Sequence, residues 1–193
     1  IFDVVEKDCG QYDTVTEVMW VTGAALFIRL ADYREVGGLD GHFFAHMEEI
    51  DLCWRLRSRG KKLVCIPQSV VYHVGGATLK KENPRKTFLN FRNNLLMLYK
   101  NLPDKELEHV LFIRGILDRV AALVFYLKKD RANARAVMQA RREFEDIRYS
   151  FAASRIENMM KSTDEIIPER THFSIVMKYY LLGKKHFSQL KLF

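Results

Sequence analysis

Between Asp104 and Lys129 the chain reads DKELEHVLFIRGILDRVAALVFYLKK, a run long enough to cross a bilayer if it were apolar throughout. It is not, because Arg114, Asp118 and Arg119 stand in its middle and Lys128 and Lys129 close it. Charges at the centre of a span are costly, so the run is read as an amphipathic helix that does not span. Arg114 and Asp118, one helical turn apart, can pair on the outside of a soluble or interfacial helix, or equally sit at an interface where the helix packs on the first part of the chain.

Helix dominates around this run. KTFLNFRNNLLMLYKN places Phe88, Phe91, Leu95, Leu98 and Leu102 at helical spacing, and Pro103 stops it. A further helix over about 132–160 carries the stripe Val137, Ala140, Phe144, Ile147 and Phe151, the mark of a face buried against other helices. Pro168 breaks the pattern before a basic, aromatic terminal segment. Ahead of Lys86 the texture differs. VMWV, GAALFI, LVCI and SVVY are short, β-branched and bounded by Gly or Pro, as strands are, and a helix from about Glu48 to Arg59 with Gly60 as its stop lies among them. The expectation is an α/β part over 1–102 and a basic, amphipathic helical extension over 103–193.

Charge follows the same division. Residues 1–77 hold 8 Lys/Arg against 11 Asp/Glu, and residues 78–193 hold 23 against 13. Three cysteines with no C-x-x-C spacing support neither a disulfide framework nor an all-cysteine zinc site, and a reducing, cytoplasmic setting fits best. The opening IFDVVEKDCGQYD has neither a basic n-region nor a long apolar h-region, and reads as an interior piece of a longer protein.

The sharpest local feature is HMEEIDLCWRLRSRG. On a helix, Glu48, Asp51, Arg55, Ser58 and Arg59 share one polar face, whereas Glu49 heads the stripe of Leu52, Cys53 and Leu56. Acids in a first turn ordinarily offset the helix dipole, which accounts for Glu48 and Asp51. It does not account for an acid at the head of an apolar stripe, where burial raises a carboxylate's proton affinity toward that of a general base. In SVVYHVGG, His73 ends a short strand before Gly75 and Gly76, a place where α/β proteins build sites but also where plain turns occur. In WVTGAALFIR, Trp20 is a stacking platform or a core tryptophan, followed by small residues that allow close approach to the backbone.

The ordered set WVTGAALFIR, EVGGLD, FFAHMEEIDLCWRLRSRG and VCIPQSVVYHVGGATL, over about residues 18–102, resembles the C-terminal half of the GT-A catalytic domain of family 2 glycosyltransferases, especially bacterial rhamnosyltransferase-like members. The resemblance implies a partial, Rossmann-like fold and inverting, metal-dependent sugar transfer in cell-surface polysaccharide synthesis, from a nucleotide-sugar donor to a saccharide or lipid-linked acceptor. The family's acidic pair, usually Glu-Asp, is matched by Glu48 and Glu49, and Glu49 takes the place of the general base. Trp20, Thr22, Gly23, Glu48 and Asp51 would line the acceptor. Gly75, Gly76, Lys80, Arg85 and Arg92 would face the donor diphosphate, with Asn93 a weaker candidate beside Arg92. His73 matches the histidine that joins an upstream D-x-D motif in holding Mg or Mn. That motif is absent from these residues, so the main metal ligands would lie outside the chain and the isolated piece would be inactive.

Basic charge on apolar helices suits a peripheral position on the anionic inner face of a cell membrane. Two other classes stand beside the enzyme: a non-catalytic interaction module, and a nucleic-acid binder suggested by the basic charge but lacking any helix-turn-helix, zinc-finger or RNP-like motif.

Overall fold

A computed structural model describes residues 6–73, 83–163, 167–171 and 173–190. Three long helices form its body. α3 (Pro84–Asn101) starts where Asn83 accepts a hydrogen bond from the Arg85 N–H, with Pro84 in the first turn, and ends before Pro103. α4 (Asp104–Leu127) follows at once, and α5 (Arg131–Ile147) is capped by Asp130, whose carboxylate accepts from Asn133. α5 lies against both α3 and α4. A 3-10 turn over Arg148–Phe151 then leads into α6 (Ala152–Met160), which returns to α3. The stripe expected on the last long helix is inside: Val137, Ala140, Phe144 and Phe151 are buried and Ile147 packs on the same core. Each large apolar side chain in this core stabilises the fold by about 1.5–3 kcal/mol.

The first part is sparser. β1 (Thr16–Glu17) pairs antiparallel with β2 (Val64–Cys65), Thr16 facing Cys65. VMWV adds one ladder bond, from the Val18 N–H to the Leu63 carbonyl, while Gly23–Ala25 is a 3-10 turn and 70–73 has no regular element. A strand exists by its partners, and Val70, Val71 and Tyr72 have none among the described residues. α1 (Leu30–Glu35) and α2 (Glu48–Ser58) pack through Val36, Leu52 and Leu56, with Leu26, Ile28, Tyr33 and Leu63. Gly38, in EVGGLD, has φ 68°, and a Cβ there would lie 2.9 Å from the Tyr33 ring. The tyrosine hydroxyl in turn accepts from the Leu39 N–H.

Charge is buried in two places, and one of them takes Asp51 out of reach of the acceptor position expected for it. The polar face of α2 is not solvated. Asp51 is 0% exposed and accepts hydrogen bonds from Arg55 (3.0 Å), Lys100 (2.9 Å) and Asn101 (2.7 Å), the last two on α3. Arg55 also donates to the carbonyls of Val36 and Gly38, and Arg59 to that of Glu35. Arg114 and Asp118 do pair, at 2.9 Å, but on the inner face of α4. Arg141 of α5 joins them at 2.8 Å and Asp118 is 1% exposed. A second cation and matched geometry are what make burial of that carboxylate tolerable.

The junction at Pro103 is a bend, not a gap in the core. One cluster contains Phe43 and Trp54 together with Leu95, Leu107, Phe144, Phe151 and Ile167. Arg155 of α6 donates to the carbonyls of Tyr99 and Leu102, and Arg57 of α2 pairs with Glu169.

Candidate functional site

The site is built on the lead-in to α2. Phe44, His46 and Met47 have φ of 62°, 70° and 73°, left-handed values that cost non-glycine residues about 1–3 kcal/mol each. Asn93 of α3 holds them there. Its side chain is 0% exposed, and its amide nitrogen stands 2.8 Å from the carbonyl oxygens of Phe43, Ala45 and His46. The amide oxygen accepts from Arg92 at 3.0 and 2.8 Å, and because arginine only donates, this fixes which way the amide faces. Arg92 is thereby committed, with further bonds to Glu143 and the His42 carbonyl. Of the three α3 residues expected near a diphosphate, Arg92 and Asn93 point into the protein and hold the loop, while Arg85 is exposed.

This strained turn delivers His46, Glu48 and Glu49 together. His46 Nε2, Glu48 Oε2 and Glu49 Oε2 are buried atoms with no hydrogen-bond partner among the described residues. Burial raises the Glu49 carboxyl above its ordinary range, the neighbouring Glu48 charge adds to the rise, and the Glu49 backbone N–H opposes it. Burial lowers the His46 imidazole, helped by Lys86 and opposed by Glu48, so the ring favours its neutral form. Met47, at the N-cap of α2, makes no side-chain capping bond. The first-turn acids therefore meet an open positive helix end.

Against this edge lies the segment after β1. Gly23 is so near that a Cβ added to it would stand 3.8 Å from Glu49 Cβ. The Val21 backbone hydrogen-bonds Cys53, whose thiol is pushed up by burial. Thr22 caps the 3-10 turn through the Ala24 N–H, and Trp20, 46% exposed, opens the same segment. Gly23 and Glu49 thus belong to one edge, with Glu48 beside Glu49 and with Trp20 and Thr22 on the segment that carries Gly23. Asp51 does not; it is sealed behind α2 with Lys100, which also pairs with Asp40.

Arg85 is exposed and lies over the Phe44 ring, 5.3 Å from its centroid, next to the turn. His73 is exposed, and Gly75, Gly76 and Lys80 lie outside the described residues. No group of three or more His, Cys, Asp or Glu side chains among the described residues could hold a metal ion. His73 by itself is no site for Mg or Mn, which favour several oxygen ligands.

Sequence reasoning passed over His46 and undervalued Asn93. The first was visible as a histidine two residues ahead of the acid pair. The second acts on a loop 47 to 50 residues away, and no local signal marks it.

Among proteins of known function, the chain is 33% identical over 69 residues to rhamnosyltransferase WbbL of Escherichia coli K12, a match covering 36% of this chain and 25% of the relative. It is 31% identical over 141 residues to the pre-mycofactocin glycosyltransferase of Mycobacterium tuberculosis H37Rv, covering 67% of this chain and 29% of that protein. The N-acetylglucosaminyl-diphospho-decaprenol L-rhamnosyltransferase of the same strain is 38% identical over 56 residues, covering 29% of this chain and 18% of that protein. The chain therefore spans less than a third of the length of these relatives. No family model and no solved structure matches it. All three relatives are glycosyltransferases, and it is to sugar-transferring enzymes that this chain is similar.

Proposed function

We propose that the chain is the acceptor-side part of an inverting GT-A, family 2 glycosyltransferase in which Glu49 is the general base. The observation that carries this reading is the Glu49 carboxylate: partly buried, raised in proton affinity by that burial and by Glu48, with its Oε2 unpaired among the described residues and its Cβ beside Gly23. A carboxylate so placed takes the proton of an acceptor hydroxyl as the oxygen attacks the anomeric carbon of a nucleotide-sugar. The bond to the nucleotide diphosphate breaks in the same displacement, which inverts the anomeric centre. Trp20 offers a face for a sugar ring, and neutral His46 offers a hydrogen bond to a neighbouring hydroxyl. The acceptor class is a saccharide or a lipid-linked saccharide, in keeping with the decaprenol in one relative's name. Since His73 alone does not make a metal site, no step is assigned to Mg or Mn.

In the full-length protein, Glu49→Gln is expected to lower transfer about 10²- to 10⁴-fold while donor affinity stays unchanged. Near-normal turnover in Glu49→Gln, with loss in Glu48→Gln, would move the base to Glu48.

A further inference from the structure

The helix α4 is turned inside out. Its buried side carries the ionic cluster of Asp118, Arg114 and Arg141 beside Leu107, Leu111, Gly115 and Ala122. Its solvent side carries Phe112, Ile116, Val120, Leu123 and Leu127, flanked by Ile113 and Val124. These recur at helical spacing, so they form one stripe over about 22 Å at 1.5 Å per residue. Phe112 and Leu127 are 69% and 70% exposed. A continuous apolar strip of this length is more than a monomer ordinarily leaves in water.

Charge at the border says what covers it. Arg119 is exposed beside the stripe, Lys128 and Lys129 close its C-terminal end, and Arg131 and Arg135 follow on α5, all exposed. Of the acids at the N-terminal end of α4, Asp104 and Glu106 are taken up by Arg155 and Arg170, and Glu108, exposed one turn before Phe112, lies within electrostatic reach of Arg148. The surplus facing outward is positive. A second copy would bring a like-charged border, whereas a bilayer with anionic headgroups meets the apolar strip and the cations together. Among the described residues no helix is long and apolar enough to cross a membrane, so the contact is in-plane.

We propose that the outer face of α4 docks on an anionic lipid surface, with Phe112, Ile116, Leu123 and Leu127 entering the headgroup boundary and Arg119, Lys128 and Lys129 contacting lipid phosphates. The face is distinct from the Glu49 edge, and the test needs no transferase activity. The full chain is sedimented with phosphatidylcholine vesicles with and without phosphatidylglycerol. Binding is expected only with phosphatidylglycerol and should weaken with salt. Lys128→Gln and Lys129→Gln each weaken it about fivefold, the equivalent of about 1 kcal/mol per cation. Phe112→Ser with Leu123→Ser weakens it at least about tenfold even at low salt. Their melting temperature falls by no more than about 1–2 °C, because both side chains are more than half exposed and serine costs only a little helix propensity. Four results would overturn the proposal: no binding to either vesicle; a melting temperature lowered by about 5 °C or more in the serine variant; a concentration-dependent dimer that the serine substitutions abolish; or a polynucleotide that displaces the vesicles and binds the serine variant undiminished.

Discussion

Asn93→Asp leaves the shape of a buried side chain unchanged and reverses the sign of its most crowded contact. The amide nitrogen of Asn93 faces the carbonyls of Phe43, Ala45 and His46, each at 2.8 Å, and a carboxylate oxygen in its place would face three oxygens with nothing to donate. Asn93→Ala sets the scale. It leaves those carbonyls without their donor, at about 1–3 kcal/mol for each buried group left unmade. The turn can relax, since its three left-handed residues store strain of similar size, and this offsets part of the loss. A net cost of about 3 kcal/mol is expected for Asn93→Ala, a fall in melting temperature of about 6–12 °C for a chain of this length. Asn93→Asp should cost more at neutral pH and recover toward the alanine variant in acid, where a protonated carboxyl can donate. Circular-dichroism melts of the three proteins across pH measure this directly. An aspartate variant that melted with the wild type at neutral pH would refute the clamp.

Two pH effects follow from the same region, with opposite signs. Glu49 has a folded-state pKa above its ordinary 4.5, so between the two values the native state holds the extra proton and stability falls as pH rises. Glu49→Gln should therefore melt above the wild type at neutral pH, with the advantage gone below about pH 4; an equal or lower melting temperature at neutral pH would contradict the burial argument. Asp40 is the reverse case: burial would raise its carboxyl, but the Lys100 ammonium and the His42 N–H bring it from 3.8 down to about 2. The stability it contributes is complete above its ordinary value and lost as pH falls through the folded one. Between these limits urea midpoints should drop more steeply for the wild type than for Asp40→Asn; parallel slopes would remove Asp40 from the acid response.

What was legible in the sequence, and what was not, divides along the range of the forces involved. The helix from Glu48 was legible because first-turn acids, a periodic apolar stripe and a left-handed Gly60 act within a few residues of one another. The stripe from Val137 to Phe151 was legible for the same reason. Which polar groups would be buried was not, because burial of a charge depends on where its counter-charge sits. Asp51 is drawn inside by Lys100 and Asn101, 49 and 50 residues away, and Asp118 by Arg141, 23 residues away. Each pairing carries a helix rotation with it. Once Asp118 turns toward α5, the residues a half-turn away must turn outward, and this is how an amphipathic run comes to show its apolar side to solvent. At α2 the effect is the converse: with Asp51 anchored to α3, Glu49, two residues earlier and about 200° round the helix, is held toward Gly23. The ion cluster that keeps Asp51 away from the Gly23 edge is therefore what aims the Glu49 carboxylate at it.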